Sequence, residues 1–283
     1  MLPLIIVSFV WAFSFGLIKG RLAGLDSAFI SAVRLGLALL VFLPFLRLRR
    51  LPAHTLLALP AIGAMQFGLM YLAYNESFRH LPAYEVALFT LTTPIFVTLL
   101  ADALDRQLRL RALAAALLAV AGTGLIVVHG GEIRPTLVGF ALVQLSNLAF
   151  AAGQVGYKRL RAKQPALRDR DIFALLYAGA FAVTLPLALA RMDPATFTLT
   201  FAQIWTLLYL GLVASGLGFF LWNLGATRVN AGTLAVMNNA KIPLAVACSL
   251  LFFGESAHLP RLLLSLGLLA TAVWLAEKRT SKQ

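Results

Sequence analysis

The chain has 283 residues, of which 60% are hydrophobic and 12% charged, and its formal net charge is +13. A soluble domain carries about 25% charged residues, so this composition excludes an ordinary water-soluble fold and indicates a protein embedded in a lipid bilayer. The basic residues lie between apolar runs and not together on one face, which argues against a nucleic-acid partner. The single cysteine, Cys248, excludes an internal disulfide.

Ten apolar segments, separated by Arg, Pro and Gly, are each long enough to cross a bilayer, since a spanning helix needs about 20 largely apolar residues. They are 2–18, 27–46, 55–78, 82–101, 110–129, 136–157, 172–190, 203–226, 230–253 and 260–276. This pattern predicts an all-α integral membrane protein. Because the first apolar run begins almost at Met1, we expect a short basic segment to precede it.

Lys and Arg are distributed unevenly between the two sides of these spans. With the N-terminus in the cytoplasm, the cytoplasmic segments contain 16 of the 24 basic residues and the opposite side contains 6. Short cytoplasmic loops collect basic residues, so both termini are predicted to be cytoplasmic, in the cell inner membrane. The basic segment 158–170 contributes to this signal, and lipid head-group binding is the alternative interpretation.

A shift of 149 residues aligns the segment 73–96 with 222–245, superposing Arg79 on Arg228 and Pro94 on Pro243. Five spans in each half give the two halves opposite orientations, so the pattern predicts an inverted repeat composed of residues 1–131 and 132–283. Inverted repeats suit a carrier, because they allow one central site to be open to either side of the membrane in turn.

Two five-span halves, a proline in the fourth and ninth spans, and the sequence LFFGES at the end of the ninth resemble the drug/metabolite transporter superfamily and, within it, the EamA-type permeases. The resemblance covers the whole chain, except that Asp102-Ala-Leu-Asp105-Arg106 stands where the family often has Gly-Glu. It implies a ten-helix bundle with a central cavity lined by helices 1, 3, 4, 6, 8 and 9, and alternating access between the halves.

The resemblance also implies a small-molecule substrate. We expect amino acids or related carboxylates, with export favoured over uptake, carried by a monomer or weak dimer. A sugar-phosphate, nucleotide or drug transporter of the same superfamily is the alternative.

Ionisable side chains within spans are costly and usually functional, and Lys241 lies near the middle of the ninth span. Asn238 and Lys241 share one helical face, and their repeat equivalents, Phe89 and Thr92, share another. We predict that these faces form opposite walls of the cavity and contact the substrate, with Lys241 binding a carboxylate or phosphate. The alternative for Lys241 is an ion pair with Glu85, or snorkelling to the interface.

Three aromatic residues, Trp11, Tyr71 and Trp222, lie in spans that the resemblance places at the cavity, so they are candidates for packing against a substrate. Core or lipid packing is the alternative for each. Arg34, inside the second span, is assigned to gating or coupling as an interhelical clamp. Glu85 is assigned there too, as a proton carrier or as the partner of a cation.

Pro94 and Pro243 are also assigned to gating. A proline inside a helix removes one backbone donor and displaces the carbonyl four residues earlier, here those of Thr90 and Asn239. We predict kinks that expose these carbonyls to a substrate ammonium. Kinks that serve only packing are the alternative.

A membrane enzyme is the remote alternative, because Asp102 and Asp105 have the spacing with which prenyl-transferring enzymes bind magnesium diphosphate. A second acidic cluster would be needed, and the only candidate, Asp169 with Asp171, lies among basic residues. The histidines are too scattered for a metal site, and no glycine-rich loop suits a phosphate cofactor. We therefore expect a transporter without catalytic residues, metal or cofactor.

Overall fold

The computed structural model of the chain describes residues 1–22, 24–48, 51–81, 86, 89–127, 137–192, 198–252 and 259–277. Within these ranges the chain forms ten helices and no strand. They are α1 Leu2–Arg21, α2 Ser27–Phe42 with a 3₁₀ turn at Leu43–Phe45, α3 Ala53–Ser77, α4 Thr93–Asp105, α5 Leu110–Val127, α6 Leu137–Lys163, α7 Asp169–Arg191, α8 Phe201–Ala226, α9 Ala231–Phe252 and α10 Leu259–Glu277.

The helix ends agree closely with most of the predicted spans, because the polar residues that separate the spans also cap the helices. The Asp26 carboxylate accepts hydrogen bonds from the first backbone N–H groups of α2, and Thr200 with Gln203 forms a capping box at the start of α8. By length and composition, α2, α3, α6, α7 and α8 can each cross a membrane, and shorter apolar helices accompany them in the described residues. The predicted all-α membrane fold is confirmed.

The fourth span differs from its prediction. A turn at Leu91 and Thr92 interrupts the expected helix 82–101, and α4 begins directly after it with Pro94 in its first turn. Backbone N–H groups in the first turn of a helix have no partner within that helix, so a proline is tolerated there. Pro94 therefore lies in the first turn of a new helix, and the prediction of one continuous kinked helix was wrong. In the ninth span α9 continues through position 243, while the side chain of Pro243 lies outside the described residues.

Neighbouring helices are paired symmetrically between the two halves. If α1–α5 are matched in order with α6–α10, the contact of α1 with α9 corresponds to that of α6 with α4. The contacts α3–α6 and α2–α8 likewise correspond to α8–α1 and α7–α3, and α2–α7, α4–α9 and α5–α10 each join matched helices. The described helices α1–α5 and α6–α10 therefore share one pattern of helix contacts, as the predicted repeat would require.

Both α3 and α8 contain a π-helical segment, Ala64–Leu69 and Tyr209–Leu217. The wide turns of a π segment disturb the regular backbone ladder, and in α8 neighbouring side chains bind the carbonyls. The indole Nε1 of Trp11 donates to the carbonyl of Ala214 at 2.9 Å. The hydroxyl of Tyr177 donates to the carbonyl of Ser215 at 2.8 Å. These bonds attach α1 and α7 to the middle of α8.

The helices α3 and α7 pack with their backbones in direct contact. A Cβ atom at Gly179 would lie 2.0 Å from the carbonyl oxygen of Pro60, and one at Gly63 would lie 1.9 Å from that of Leu176. Both distances are shorter than any non-bonded contact. Only glycine allows this approach.

Gly179→Ala should therefore force the two helices apart and lower the free energy of unfolding by about 1–3 kcal/mol, the usual cost of overpacking. The measurement is thermal unfolding of the purified protein in detergent. Gly156→Ala is the matched control, because its Cβ would lie 3.7 Å from the Ile62 side chain, an ordinary contact. Equal losses in the two variants would contradict the prediction.

Candidate functional site

A cavity of about 110 Å³ lies at the centre of the bundle. Seven of the ten spans contribute to its wall, including α2, which the resemblance did not imply. The lining residues are Trp11, Ser14, Ile18, Arg34, Met70, Tyr71, Tyr74, Thr90, Thr93, Ser146, Asn147, Phe150, Phe219 and Lys241.

The structure brings some of the predicted site residues to this cavity and not others. Those in its lining are Trp11, Arg34, Tyr71 and Lys241. Those outside the lining are Phe89, Thr92, Pro94, Trp222 and Asn238, all buried or half-buried. Glu85 lies outside the described residues.

Lys241 presents its ammonium group to the cavity. The Nζ atom lies 5.5 Å from the centre of the Trp11 ring, within the range of a cation–π contact. In the described part of the chain it has no hydrogen-bond or ion-pair partner. Among the described residues, the ammonium group thus contacts the ring of Trp11.

Arg34 is 4% exposed and is held by two hydroxyl groups. Its Nε donates to Ser215 Oγ at 3.1 Å, and its Nη2 donates to the hydroxyl of Tyr71. The guanidinium carbon lies 4.4 Å from the centre of the Tyr71 ring, and the two hydroxyl oxygens are 3.0 Å apart. These contacts join α2, α3 and the π segment of α8, and no carboxylate among the described residues neutralises the guanidinium.

The turn before α4 borders the cavity and is fixed by side chains of α6. Asn147 Nδ2 donates to the carbonyl of Phe89 at 2.8 Å and lies 3.0 Å from the hydroxyl of Thr92. That hydroxyl donates to Gln144 Oε1 at 2.8 Å. Phe89 and Thr92 therefore interact with the supporting helix.

The other carbonyls of this turn also accept hydrogen bonds from side chains. The hydroxyl of Thr93 donates to the carbonyl of Thr90 at 2.7 Å. Asn239 Nδ2, from α9, donates to the carbonyl of Leu91 at 3.0 Å. The Thr90 carbonyl, one of the two expected to meet a substrate ammonium, thus already binds a protein donor.

Aromatic rings form one wall of the cavity and the layer behind it. Trp11 packs against Trp222 with ring centres 4.9 Å apart and against Phe219 at 5.5 Å. Trp222 is 1% exposed, and its Nε1 donates to Gln154 Oε1 at 2.9 Å. Trp222 therefore supports Trp11 from behind the cavity wall.

Sequence reasoning missed Ser215, Asn147 and Gln154. Ser215 and Gln154 are single polar residues within apolar spans, and Asn147 belongs to the short polar cluster Gln144, Ser146 and Asn147. Polarity within an apolar span was the signal available. Their roles depend on the π turn of α8 and on which face α6 turns toward α4 and α8, and neither follows from hydropathy.

The described lining contains two cationic side chains and no carboxylate. Its hydroxyl groups and its one carboxamide are supplied by Ser14, Ser146, Thr90, Thr93, Asn147 and the tyrosines. A site of this composition favours an anion that also has an apolar body.

The aspartates of the enzyme alternative are paired with arginine. Arg109 Nη1 lies 3.0 Å from Asp102 Oδ1, and its backbone N–H donates to Asp102 Oδ2 at 2.8 Å. Arg109 and Arg159 both contact Asp105. The hydrogen bond from Arg109 is the main cause that holds the pKa of Asp105 below its ordinary value. No group of three acidic, histidine or cysteine side chains suited to a metal occurs in the described residues.

Comparison with known proteins gives consistent results. The sequence profile described as the EamA-like transporter family matches residues 1–128 and 137–276. A probable biotin transporter of Pseudomonas aeruginosa is 44% identical over 273 residues, which cover 96% of this chain and 95% of that protein. The biotin transporter of Salmonella typhimurium is 40% identical over 280 residues, covering 98% and 93%.

A more distant relative is a probable terminal-alkyne amino-acid exporter of Streptantibioticus cattleyicolor, 28% identical over 284 residues that cover 98% of this chain and 93% of that protein. A solved crystal structure superposes with a TM-score of 0.79 at 16% identity and covers 98% of both chains. That superposition shows a shared fold.

The ion pairs of Asp105 predict a pH dependence of stability. Because its folded pKa is lowered, the pairs stabilise the protein above the ordinary carboxyl pKa of about 4 and lose this effect as pH falls through the lowered value. Asp105→Asn should therefore lower the melting temperature near pH 7, and the difference from wild type should shrink below about pH 4. A difference that stays constant with pH would contradict this.

Proposed function

The chain belongs to the EamA-like transporter family of the drug/metabolite transporter superfamily, and from that premise we propose that it carries biotin, or a closely similar monocarboxylate, across the cell inner membrane. The printed names of the two relatives at 44% and 40% identity suggest the substrate. The observation that carries the proposal is the cavity, with one buried and one half-buried cation, an aromatic wall and no carboxylate in its described lining.

The chemistry of biotin matches this lining part by part. Biotin has a carboxylate on a flexible chain and a fused ring system with a ureido group and a thioether. Lys241, whose ammonium has no partner in the described residues, binds the carboxylate. The rings of Trp11 and Phe219 pack against the apolar part of the fused rings. The ureido group pairs with Asn147 and Ser146.

An amino acid fits the same lining less well. A zwitterion brings an ammonium group that needs an acceptor, and a buried charge without one is costly. The described lining offers no carboxylate, and the carbonyls of Phe89, Thr90 and Leu91 already accept hydrogen bonds. We therefore replace the expected amino-acid substrate with a monocarboxylate.

Transport is proposed to proceed by rocking of the halves 1–131 and 132–283 about the cavity, with both termini cytoplasmic. Two matches of the family profile and the symmetric helix pairing support this mechanism. Alternating access is reversible, so gradients set the direction of net movement. Export and proton coupling through Glu85 stay predictions.

Lys241→Met should reduce counterflow of radiolabelled biotin into proteoliposomes by more than about tenfold, because it removes a charge-assisted contact to the carboxylate. Lys241→Arg is the matched control, since it keeps the charge and should retain part of the transport. Size-exclusion profiles check that both variants fold. If Lys241→Met catalyses biotin counterflow at the wild-type rate, Lys241 does not bind the substrate.

Biotin should raise the melting temperature of the wild-type protein, because a ligand that binds only the folded state stabilises it by about 2.7 kcal/mol at a hundredfold excess over Kd. Biotin methyl ester, which lacks the negative charge, should give a much smaller shift. Amino acids should give none. A shift with amino acids and none with biotin would overturn the proposed substrate.

A further inference from the structure

Three buried side-chain polar atoms have no hydrogen-bond partner among the described residues. They are Nε2 of Gln154, Oδ1 of Asn238 and Oγ1 of Thr233. All three residues are at most 2% exposed. Buried polar atoms are almost always paired, and an unpaired one raises the free energy of the state that contains it. Three such atoms in one structure therefore need a physical reason.

All three atoms lie on the same side of the cavity. In α6, Gln154 follows the lining residue Phe150 by four positions, about 6 Å along the axis. In α9, Asn238 and Thr233 precede Lys241 by three and eight positions, about 5 and 12 Å. Gln154 thus lies toward the end of α6, and the other two lie toward the start of α9.

These two helix ends meet at one end of the bundle. Lys158, near the end of α6, donates to the carbonyl of Ala226, five residues before α9 begins. The start of α1 is also there, since a Cβ at Gly225 would lie 2.7 Å from the side chain of Leu4. We call this the N-terminal end of the bundle.

The cavity extends in the opposite direction. Along α1 its lining runs from Trp11 to Ile18, away from Met1. Toward the N-terminal end it is closed by aromatic rings, with Trp11 packed against Trp222 at an angle of 32° and Trp222 bound to Gln154. The unpaired atoms therefore lie behind this aromatic layer.

We propose that Gln154 and Asn238 line the half of the translocation pathway that is closed in this structure, and that Thr233 continues this line toward the N-terminal end. When the cavity opens to that end, the unpaired donor of Gln154 and the unpaired acceptor of Asn238 meet water and the passing substrate. The two amides supply a polar path for the carboxylate and ureido groups. This inference rests on the proposed function, because it requires a carrier that alternates between two open states.

The pairing of these atoms in the second state has an energetic consequence. The polar atoms are unpaired in the closed state and find hydrogen-bond partners in the open state. This raises the free energy of the closed state relative to the open one and lowers its population. A protein that must pass between both states benefits from such a balance.

Cysteine accessibility tests the inference. Gln154→Cys and Asn238→Cys are made in a Cys248→Ser background and reconstituted in liposomes, with orientation fixed by cleavage of an N-terminal tag. A membrane-impermeant maleimide is added on the side that carries the N-terminus. Both cysteines should react at least about tenfold faster than a cysteine in the static core, which reacts only after local unfolding. Saturating biotin should change the rates at which these two cysteines react with the maleimide.

Val236→Cys is the matched control. It lies in α9 at a depth between Thr233 and Asn238 and is fully buried, but it packs with Ala115 of α5 and Leu269 of α10. Equal reactivity of all three cysteines, or none in a protein that still transports biotin, would overturn the inference and leave the proposed function intact. Labelling as expected without any biotin binding or transport would instead contradict the proposed substrate.

Asn238→Leu gives an independent readout. Its Nδ2 donates only to the Leu234 carbonyl of its own helix, so the change removes the unpaired oxygen at little other cost. The closed state should become more stable, raising the melting temperature and slowing biotin counterflow by about fivefold or more. A lower melting temperature with unchanged counterflow would show that the amide serves only packing.

Discussion

Backbone groups inside a bilayer find no water, so every interruption of a membrane helix must be satisfied by the protein itself. This constraint organises the centre of the bundle. The fourth span is interrupted at Leu91 and Thr92, and amides from α6 and α9 bind the carbonyls that the turn leaves. The π segment of α8 is likewise bound by Trp11 and Tyr177. The turn before α4 borders the cavity, the π segment of α8 lies behind it through the contact of Ser215 with Arg34, and side chains of neighbouring helices bind both.

The same constraint explains why two cations can exist in the cavity. Arg34 is surrounded by hydroxyl groups from two other helices, and Lys241 lies beside an aromatic ring. Neither contact cancels the positive charge. The described lining therefore combines two cationic side chains with an aromatic wall and contains no carboxylate, which is the composition on which the proposed monocarboxylate substrate rests.

Hydropathy and the positions of Arg, Pro and Gly predicted the ten helices, because the charged and turn-forming residues that separate the apolar segments also end the helices. The fourth span could not be predicted in this way. A proline inside an apolar run is compatible with a kink or with a first turn, and the choice depends on Asn147 and Gln144 of a different helix. Trp11, Arg34, Tyr71 and Lys241 line the cavity; Arg34 and Lys241 were singled out because charged side chains are rare within spans, and Trp11 and Tyr71 because the resemblance places their spans at the cavity. Phe89 and Thr92 were placed on a cavity wall by a face argument that assumes an unbroken helix, and the turn invalidates that assumption.

The charge of the proposed substrate makes its transport sensitive to the membrane potential. A monocarboxylate bound by Lys241 carries one negative charge across the bilayer for each molecule moved. A potential of 100 mV, negative inside, changes the free energy of that movement by about 2.3 kcal/mol. Unless a cation moves with the substrate, this favours outward over inward movement of a monoanion by a factor of about 50. For the proposed monocarboxylate, voltage as well as concentration is therefore a driving force.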